Sequence, residues 1–380
     1  MNSVILSSMK WAVQENVPLA PLTTLGIGGP ARFFVEADEE DPAIRAFKFA
    51  KERNLPFFVL GGGSNVVVAD EGFPGMVLHL RIPGRIEAGS KSADSAEKNF
   101  LLGGGEDWDA FVDFAVSRNL AGVECLSGIP GSIGGTPIQN VGAYGQEVSS
   151  VIRSVRVYDT ASGERRDLTP GECGFSYRKS VFNTTARGRY IVLAVAFALQ
   201  EGLEPVTRYP DVEHFLRDSG TPATLRSVRD AVLAIRRRKA MVLSDNDPDT
   251  RSAGSFFKNP VVEAATFEAL SRQYKDSQIP HYPVNAQGRV EGPSPSTPRV
   301  KLAAGWLIEQ AGFHKGFPGA PNTSSRVGIS SKHTLALVNR GGATAGELIA
   351  LMKSIQWGVE KKFMIRLEPE PVFVGFQDPP

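Results

Sequence analysis

The sequence predicts an α+β fold from three observations. Helix and strand signals alternate through the first half of the chain without a regular strand–helix–strand repeat. Near residue 200 the pattern changes to strongly amphipathic helices. The composition is globular, with 42% apolar and 22% charged residues, and a chain of 380 residues exceeds one ordinary core. We therefore expect two or three domains.

In the first half, helix caps and short apolar runs define the elements. Asp41-Pro42 predicts a helix N-terminus, with the proline at the first helical position. Asp107 predicts the cap of a second helix, whose buried face carries Trp108, Phe111, Val112 and Ala115. Strands are predicted at residues 56–60, 66–68, 151–159 and 190–199.

In the second half, two amphipathic helices are predicted. Residues 227–239 carry an apolar face of Val228, Val232 and Ile235. Thr344 and Glu347 predict a capping box before a helix with an apolar stripe of Leu348, Leu351, Met352, Ile355 and Val359. Residues 283–299 are rich in glycine, proline and serine, which predicts an exposed loop or insertion.

The charge and cysteine content argue against several classes of protein. The 42 basic and 41 acidic side chains give a net charge of +1, which favours neither nucleic acid nor an anionic membrane as a partner. Cys125 and Cys173 are too few for a disulfide framework and are typical of a reducing compartment, so we expect a cytoplasmic protein. We find neither a signal-peptide pattern nor 18 consecutive apolar residues, so no membrane span is predicted.

Glycine is the unusual residue, because its 39 copies are concentrated in a few loops. Successive amides of such loops can form a nest for an anion, and glycine lets the backbone approach a ligand closely. Tight turns would explain any one cluster. Four clusters together, two of them continuing into Ser64-Asn65 and Ser132, favour an enzyme that holds the phosphates of a dinucleotide cofactor. The clusters lie at residues 26–29, 61–63, 103–105 and 128–135.

Absent motifs narrow the choice of cofactor. No segment satisfies G-x-G-x-x-G or G-x-x-x-x-G-K-[ST], which argues against the doubly wound dinucleotide fold and a P-loop nucleotidase. No G-x-S-x-G elbow indicates a hydrolase. The five histidines are scattered and neither cysteine has a metal-ligand neighbour at close spacing, so no metal site is predicted.

Seven segments are together similar to one family. They are PLTTLGIGGPARFF (21–34), LGGGSNVVV (60–68), SGIPGSIGGTPIQNVGAYGQEV (127–148), FSYRKSVF (175–182), AGSFFKNPVV (253–262), KLAAGWLIEQAG (301–312) and LEPEPVFVG (367–375). Over residues 16–375 the chain resembles the UDP-N-acetylenolpyruvoylglucosamine reductases, or UDP-N-acetylmuramate dehydrogenases, of bacterial peptidoglycan synthesis. Tyr209 resembles the tyrosine of one subtype, whereas residues 283–299 and 314–332 match the family only loosely.

The resemblance implies a fold and a domain order. The fold would be the two-part FAD-binding architecture of the vanillyl-alcohol-oxidase-like (PCMH-type) flavoproteins, followed by an α+β substrate-binding domain. Residues 1–80 would form the first FAD-binding subdomain, with a strand near 366–380 returning to it. Residues 81–240 would form the second, and residues 241–365 the substrate-binding domain.

The resemblance also implies a reaction, in which an enolpyruvyl ether on UDP-N-acetylglucosamine becomes the lactyl ether of UDP-N-acetylmuramate. NADPH reduces FAD, the oxidised nicotinamide leaves, and the reduced flavin delivers hydride to the terminal vinyl carbon. Negative charge develops on the adjacent carbon, so an acid is needed there and cations or hydrogen-bond donors at the carboxylate. No histidine lies in the glycine loops, so non-covalent FAD is expected.

Three catalytic residues follow from the resemblance. Ser255 of AGSFFKN matches the proton donor, although a lone serine after glycine would otherwise be assigned to a turn. Arg178 of YRKS matches a catalytic arginine, whose planar fork suits a carboxylate; a surface ion pair is the alternative. Glu370 of LEPE matches the third residue, with Glu368 as the nearby alternative.

The implied binding residues form three sets, for phosphates, for the substrate and for FAD. Arg236 and Lys239, three apart on one helical face, would meet the nucleotide or nicotinamide phosphates, unless they belong to a solvated basic face. Tyr209 would close over the substrate, aided by Lys258, Asn259 and Gln310. The residues implied for FAD are Gly61, Gly62, Gly63, Ser64, Asn65, Gly128, Pro130, Gly131, Ser132, Gly134, Gly135, Gln139, Asn140, Gly142, Ala143, Tyr144 and Gly145.

We expect a monomer that binds a UDP-sugar, with core packing as the role of Trp306. Two other classes stay open. A flavin oxidase using oxygen would need the FAD-binding half but not AGSFFKN and LEPE. A non-catalytic nucleotide-sugar-binding protein would not need Ser255, Arg178 and Glu370 together.

Overall fold

The computed structural model describes residues 12–88, 96–207, 209–275, 278–284, 299–319 and 325–378, together with Pro380. The chain divides into two compact units. Unit 1 contains the chain up to Pro18 with Pro30–Gly63 and Phe73–Val242. Unit 2 contains Leu19–Gly29, Ser64–Gly72 and the chain from Leu243 onward.

The regular elements alternate as the sequence predicts. The helices of the described residues are α1 Glu40–Glu52, α2 Trp108–Ser117, α3 Pro170–Cys173, α4 Pro210–Ser219, α5 Leu225–Arg238, α6 Ala264–Gln273, α7 Ala304–Gln310 and α8 Ala345–Phe363. Their strands are β1 Gln14–Pro18, β2 Pro30–Ala37, β3 Phe57–Leu60, β4 Val66–Val68, β5 Phe73–Leu80, β6 Arg85–Ala88, β7 Glu97–Gly103, β8 Leu120–Ala121, β9 Gly142–Ala143, β10 Gln146–Glu147, β11 Ile152–Asp159, β12 Glu164–Leu168, β13 Tyr190–Glu201, β14 Val261–Glu263, β15 His281–Val284, β16 Arg299–Leu302, β17 Val327–Ile329, β18 Leu337–Asn339 and β19 Val372–Val374.

The first sheet of unit 1 has the order β1-β2-β5-β3, with β2, β5 and β3 parallel and β1 antiparallel. Helix α1 packs on it through buried Ala43, Ala46 and Ala50. The predicted start of α1 is wrong by two residues, since Glu39 is its N-cap and Pro42 lies at the third helical position. Proline fits anywhere in a first turn because the N–H groups there have no intrahelical acceptor.

The second sheet of unit 1 is antiparallel, in the order β12-β11-β13-β7-β6, and β8 also pairs with β13. The predicted cap of α2 is confirmed, because the Asp107 carboxylate accepts a hydrogen bond from Ala110 N–H at 2.8 Å. The buried face of α2 carries Trp108 and Phe111, whose rings lie 6.0 Å and 5.3 Å from that of Phe197 on β13. Aromatic burial of this kind dominates the energetics of a core.

Helices α4 and α5 complete unit 1 beside the second sheet. Thr224 and Ser227 form a capping box at the start of α5, so the predicted helix begins two residues earlier than expected. The predicted apolar face of Val228, Val232 and Ile235 is buried, together with Val212 and Leu216 of α4. Tyr144, Val206 and Tyr209 pack at the edge of this helix cluster.

Unit 2 is built around α8, whose predicted capping box is confirmed by bonds between Thr344 and Glu347. Its apolar stripe faces a core that includes Phe256 and Phe257. Trp306 packs here as predicted, with its ring 5.4 Å from Tyr274 and 5.7 Å from Phe363.

The described part of unit 2 contains three small sheets, one of which contacts α8 through β17. They have the order β14-β16-β15, β17-β18 and β19-β4. The loop prediction for residues 283–299 lies outside the described residues except at its two ends, which belong to β15 and β16. None of the helices in the described part of the chain has the length and apolar character that crossing a membrane requires.

Candidate functional site

Three of the four glycine clusters meet in unit 1. A Cβ added to Gly62 would lie 2.6 Å from the Cα of Gly131, and one added to Gly134 would lie 2.9 Å from the carbonyl oxygen of Gly104. The Gly134 N–H also donates to that carbonyl at 2.8 Å. Glycine is required at these positions because the backbones themselves are in contact. Turn formation alone therefore does not explain the clusters.

These loops present unused backbone donors. Among the described residues, the N–H groups of Gly62, Gly63, Gly131 and Ser132 donate to no acceptor. Gly63 and Ser132 are buried, and buried amides rarely stay unsatisfied in folded proteins. Converging free amides are the donor set that binds phosphate oxygens. The residues present therefore fit the diphosphate of a dinucleotide such as FAD.

A half-buried ion pair holds the start of the glycine loop at residues 128–135. The Asp109 carboxylate of α2 accepts from Gly128 N–H at 2.6 Å and from both terminal nitrogens of Arg229 at 2.7 and 3.0 Å. Burial acts to raise the pKa of Asp109, but the hydrogen bonds from Arg229 and Gly128 outweigh it and hold the pKa below its usual value. Asp109 thus stays ionised and fixes the loop to α2.

Strands β9 and β10 form a hairpin whose two-residue turn is Tyr144-Gly145. Both turn residues have positive φ, 47° for Tyr144 and 85° for Gly145, as a type I′ turn requires. A tyrosine in the left-handed region is uncommon, and such backbone strain concentrates at functional sites. Its ring lies edge-on to Tyr209, with 5.2 Å between centroids.

Arg178 also has positive φ, at 55°, in a tight turn closed by two hydrogen bonds between Ser176 and Lys179. Its guanidinium donates to the carbonyl of Gly142 on β9 at 2.8 Å. The Asn140 amide, also implied for FAD, donates to the carbonyl of Ser176 at 3.2 Å. The turn that carries Arg178 is therefore tied to the hairpin that carries Tyr144.

The Arg236 guanidinium is only partly satisfied, since Nη2 donates to the Met241 carbonyl at 2.7 Å. Its Nε is buried without a hydrogen-bond partner, 3.4 Å from the position of a Cβ on Gly128. Burial lowers its pKa, while the neighbouring Tyr144 and Asp109 act to raise it. An anion bound beside this guanidinium would offset the desolvation. Burial of Arg236 argues against the solvated basic face, although Arg237 and Arg238 are exposed.

Helix α5 ends at Arg238 and Lys239 is its C-cap, whose N–H still donates to the Ile235 carbonyl at 3.3 Å, so the shared role of Lys239 and Arg236 at a phosphate stays a prediction. The Lys239 ammonium pairs with Asp211 of α4 at 2.8 Å. This pair lines a cleft of about 510 Å³ between α4 and α5. Tyr209 is the N-cap residue of α4 and Asp211 is its second helical residue, so both lie in the first turn of the helix.

In unit 2, the segments that carry Ser255 and Glu370 are bonded to each other. Glu370 N–H donates to the carbonyl of Phe256 at 2.9 Å, and Lys258 N–H donates to the carbonyl of Glu368 at 2.9 Å. Ser255 is half-buried, and its hydroxyl makes no hydrogen bond to another described residue. Glu370 is half-buried, whereas the alternative, Glu368, is mostly exposed.

Asn65 joins the Glu370 segment, since its amide donates to the Glu370 carbonyl at 3.3 Å and its own carbonyl accepts from Val372 N–H at 2.9 Å. Lys258 pairs weakly with Glu368 at 3.5 Å. The Asn259 amide oxygen accepts from Ala304 N–H at 2.9 Å, at the start of α7. Gln310 ends α7, and its carbonyl accepts a hydrogen bond from Lys362.

The structure thus groups the implied residues in two sets, one in each unit. Unit 1 contains the glycine loops, Arg178, Tyr209, Arg236 and Lys239, and unit 2 contains Ser64, Asn65, Ser255, Lys258, Asn259, Gln310 and Glu370. In the described ranges no group of three or more His, Cys, Asp or Glu side chains could hold a metal ion. Asp109, Arg229, Glu124 and Gln146 were not predicted from the sequence. Asp109 and Glu124 lie between apolar residues, which is a weak signal, whereas Arg229 and Gln146 each precede an acidic residue and give none.

Comparisons with known proteins follow the same division. A family model described as an FAD binding domain matches residues 31–169, and one described as the C-terminal domain of UDP-N-acetylenolpyruvoylglucosamine reductase matches residues 247–374. The reductase of Thermobifida fusca (strain YX) is 45% identical over 97% of this chain and 99% of that protein. The reductase of Nocardia farcinica (strain IFM 10152) is 45% identical over 98% of this chain and 92% of that protein. The crystal structure of the Thermus caldophilus reductase has a TM-score of 0.59 and 25% identity, covering 95% of this chain and 98% of that one.

Proposed function

The chain belongs to the UDP-N-acetylenolpyruvoylglucosamine reductase family, and from this premise we propose that it reduces enolpyruvyl-UDP-N-acetylglucosamine to UDP-N-acetylmuramate with electrons from NADPH. The family, the α+β fold with an FAD-binding domain and a C-terminal reductase domain, and FAD as cofactor are confirmed. The three-domain division, the site residues and the role of NADPH stay predictions.

The observation that carries the proposal is the joining of AGSFFKN to LEPE by two backbone hydrogen bonds in unit 2. A flavin oxidase that uses oxygen would need the FAD-binding half but neither of these segments. Their bonded arrangement, in a chain that also carries the FAD-binding domain, supports a reductase that protonates its substrate. Nothing comparable favours the non-catalytic alternative.

We propose that the site residues of unit 1 bind and orient FAD and the sugar nucleotide. The free amides of the glycine loops would hold the FAD diphosphate, with Asp109 fixing Gly128. Arg236 would bind a phosphate, since its buried Nε has no partner. Lys239 would exchange its ion pair with Asp211 for a second contact with a phosphate. Tyr209 would close over the sugar nucleotide. Bound FAD supplies the hydride for the terminal vinyl carbon.

The chemistry assigned to the chain itself is proton delivery and charge stabilisation. Ser255 Oγ would hold the proton that the carbon next to the carboxylate receives, and no other described residue occupies that hydroxyl. The Arg178 guanidinium would bind the substrate carboxylate bidentately and stabilise the charge that develops there. Glu370 would orient these surroundings. Lys258, Asn259 and Gln310 would bind the sugar nucleotide.

The setting of the activity is part of the proposal. Two cysteines are buried as free thiols, which fits a reducing compartment, so we propose a cytoplasmic monomer that acts in peptidoglycan precursor synthesis. No nucleic acid or membrane partner is proposed.

Purification and an anaerobic titration test the function. We expect a yellow protein that releases about one FAD per chain, is bleached by NADPH, and forms UDP-N-acetylmuramate when the enolpyruvyl sugar nucleotide is added. A colourless protein without extractable FAD would exclude both the reductase and the flavin oxidase as functions. Bleaching by NADPH without UDP-N-acetylmuramate would leave a flavin reductase of another specificity.

A further inference from the structure

Glu124 is a fully buried carboxylate whose environment no catalytic role explains. It lies in the helical turn Glu124–Leu126, just before the glycine loop at residues 128–135. The carboxylate accepts hydrogen bonds from Gly122 N–H at 2.8 Å, Gln146 Nε2 at 2.7 Å and Val206 N–H at 3.1 Å. No lysine or arginine pairs with it among the described residues. Burying a carboxylate costs free energy unless donors compensate it, so these three bonds define its position.

Gln146 shares this arrangement from the β9–β10 hairpin. Its side chain is buried, and its amide is used at both ends, donating to Glu124 and accepting from Cys125 N–H at 2.8 Å. The orientation of the amide is therefore determined by its partners. Because Gln146 pairs with Ala143 across the hairpin, the same bonds fix the turn residue Tyr144.

Val206 connects Glu124 to the segment that leads to Tyr209. Its N–H donates to Glu124, and its carbonyl accepts from the Cys125 thiol at 3.2 Å. Residues 203–207 belong to no regular strand or helix, so the two bonds of Val206 are the main polar contacts of this segment with the rest of the described chain. The Val206 side chain packs on the helix cluster together with Tyr144 and Tyr209.

We propose that Glu124 and Gln146 act together as a positioning pair, which aligns Tyr209 with Tyr144 and so prepares the sugar-nucleotide site. One buried carboxylate joins the two segments whose tyrosine rings meet at 5.2 Å. Loss of Glu124 would release the N–H of Val206 and loosen residues 203–207, whereas the hairpin keeps its strand pairing and its bond to Arg178, and Gly128 keeps its bond to Asp109. The inference rests on the proposed function for its kinetic consequence but not for its structural one.

The structural test is amide exchange in Glu124→Ala, with Asp159→Ala as matched control. Asp159 is also fully buried, in unit 1, and is bonded to Arg189 and Ala161 rather than to either tyrosine segment. We expect exchange at Val206 and Cys125 to accelerate at least about tenfold in Glu124→Ala and to stay unchanged in Asp159→Ala. Unchanged amide exchange in Glu124→Ala, or equal acceleration in both variants, would overturn the proposal that Glu124 and Gln146 position the Tyr209 segment.

The kinetic test compares the two half-reactions. In Glu124→Ala we expect the half-saturating concentration of enolpyruvyl-UDP-N-acetylglucosamine for flavin reoxidation to rise about tenfold or more, with reduction by NADPH changed less than about twofold. The half-saturating concentration of Glu124→Gln should lie between those of wild type and Glu124→Ala. Its amide oxygen can still accept from Gln146 and Val206, and only the bond from Gly122 N–H is lost. If Glu124→Ala does not fold, the same measurement is made on Glu124→Gln. Equal slowing of both half-reactions indicates a merely structural role.

Coupling to Tyr209 completes the test. If Glu124 acts through Tyr209, adding Glu124→Ala to Tyr209→Ala should change the half-saturating concentration little further, whereas independent sites would multiply their effects. Multiplicative effects overturn the proposal. If wild-type enzyme is not reoxidised by the sugar nucleotide at all, the proposed function fails, and the exchange measurement still decides whether the pair positions the Tyr209 segment.

Discussion

Replacing Gly62 by alanine adds a methyl group where two glycine-rich segments of unit 1 touch. The new Cβ would lie 2.6 Å from the Cα of Gly131 and 3.1 Å from the backbone nitrogen of Ser132. Both contacts are with backbone, so no side chain can rotate away, and the loops must separate. Overpacking of this kind costs about 1–3 kcal/mol.

The cost should appear in two measurements. For a unit of this size, about 1–3 kcal/mol corresponds to a fall in Tm of about 2–12 °C. If the loops must adopt their native spacing to hold FAD, the same energy weakens the FAD Kd by about 5-fold to about 150-fold. Differential scanning fluorimetry of the apoprotein and flavin fluorescence titration measure the two quantities separately.

Gly171→Ala is the matched control. Gly171 lies in α3, its φ is not positive, and an added Cβ would meet only Thr169 Oγ1 at 3.9 Å. We expect no loss of Tm or FAD affinity, since alanine is the better helix former. Wild-type Tm and FAD affinity in Gly62→Ala would refute the conclusion that the glycine clusters pack backbone to backbone.

Three further predictions concern chemistry and pH. Ser255→Ala should leave flavin reduction by NADPH near normal and slow reoxidation by the sugar nucleotide by about 10²–10⁴-fold, because only that half-reaction needs the proton; equal slowing of both in stopped-flow would make Ser255 structural. Arg178→Lys should retain FAD but slow reoxidation by about 10–100-fold, since a point charge does not replace a planar fork; isolation of apoprotein would contradict the assigned role. Hydrogen bonding to Arg189 lowers the pKa of Asp159 to about 2. The contribution of ionised Asp159 to the free energy of unfolding should be fully present above its unfolded pKa of about 4, and should be lost as pH falls towards 2. Urea midpoints of Asp159→Asn should therefore show a shallower decline across this range than wild type, and parallel declines would count against the ion pair.

Much of the fold is local and was predictable for that reason. The Asp107 cap and the Thr344–Glu347 capping box depend on residues three apart in sequence, and both are confirmed. The apolar face of α5 follows from helical periodicity. The start of α1 was misplaced because a proline in the first turn is compatible with several starting residues.

The site was predictable in its parts but not in its assembly. Glycine clusters are visible in sequence, yet the contact of Gly62 with Gly131 depends on tertiary packing that no local pattern encodes. Glu124 bonds to Gln146 and Val206, which are 22 and 82 residues away. A glutamate in the run Val123–Leu126 signals a buried charge, but nothing in the sequence identifies its partners. The C-cap position of Lys239 likewise depends on where α5 ends.

The proposed reduction is tested most directly by anaerobic reoxidation of the NADPH-reduced enzyme with enolpyruvyl-UDP-N-acetylglucosamine, followed at the flavin absorbance in a stopped-flow instrument. We expect full recovery of oxidised flavin in a single turnover, with one equivalent of UDP-N-acetylmuramate formed, and reoxidation much faster than by dissolved oxygen in a parallel aerobic run. Reoxidation by oxygen but not by the enolpyruvyl sugar nucleotide would contradict the proposed reduction.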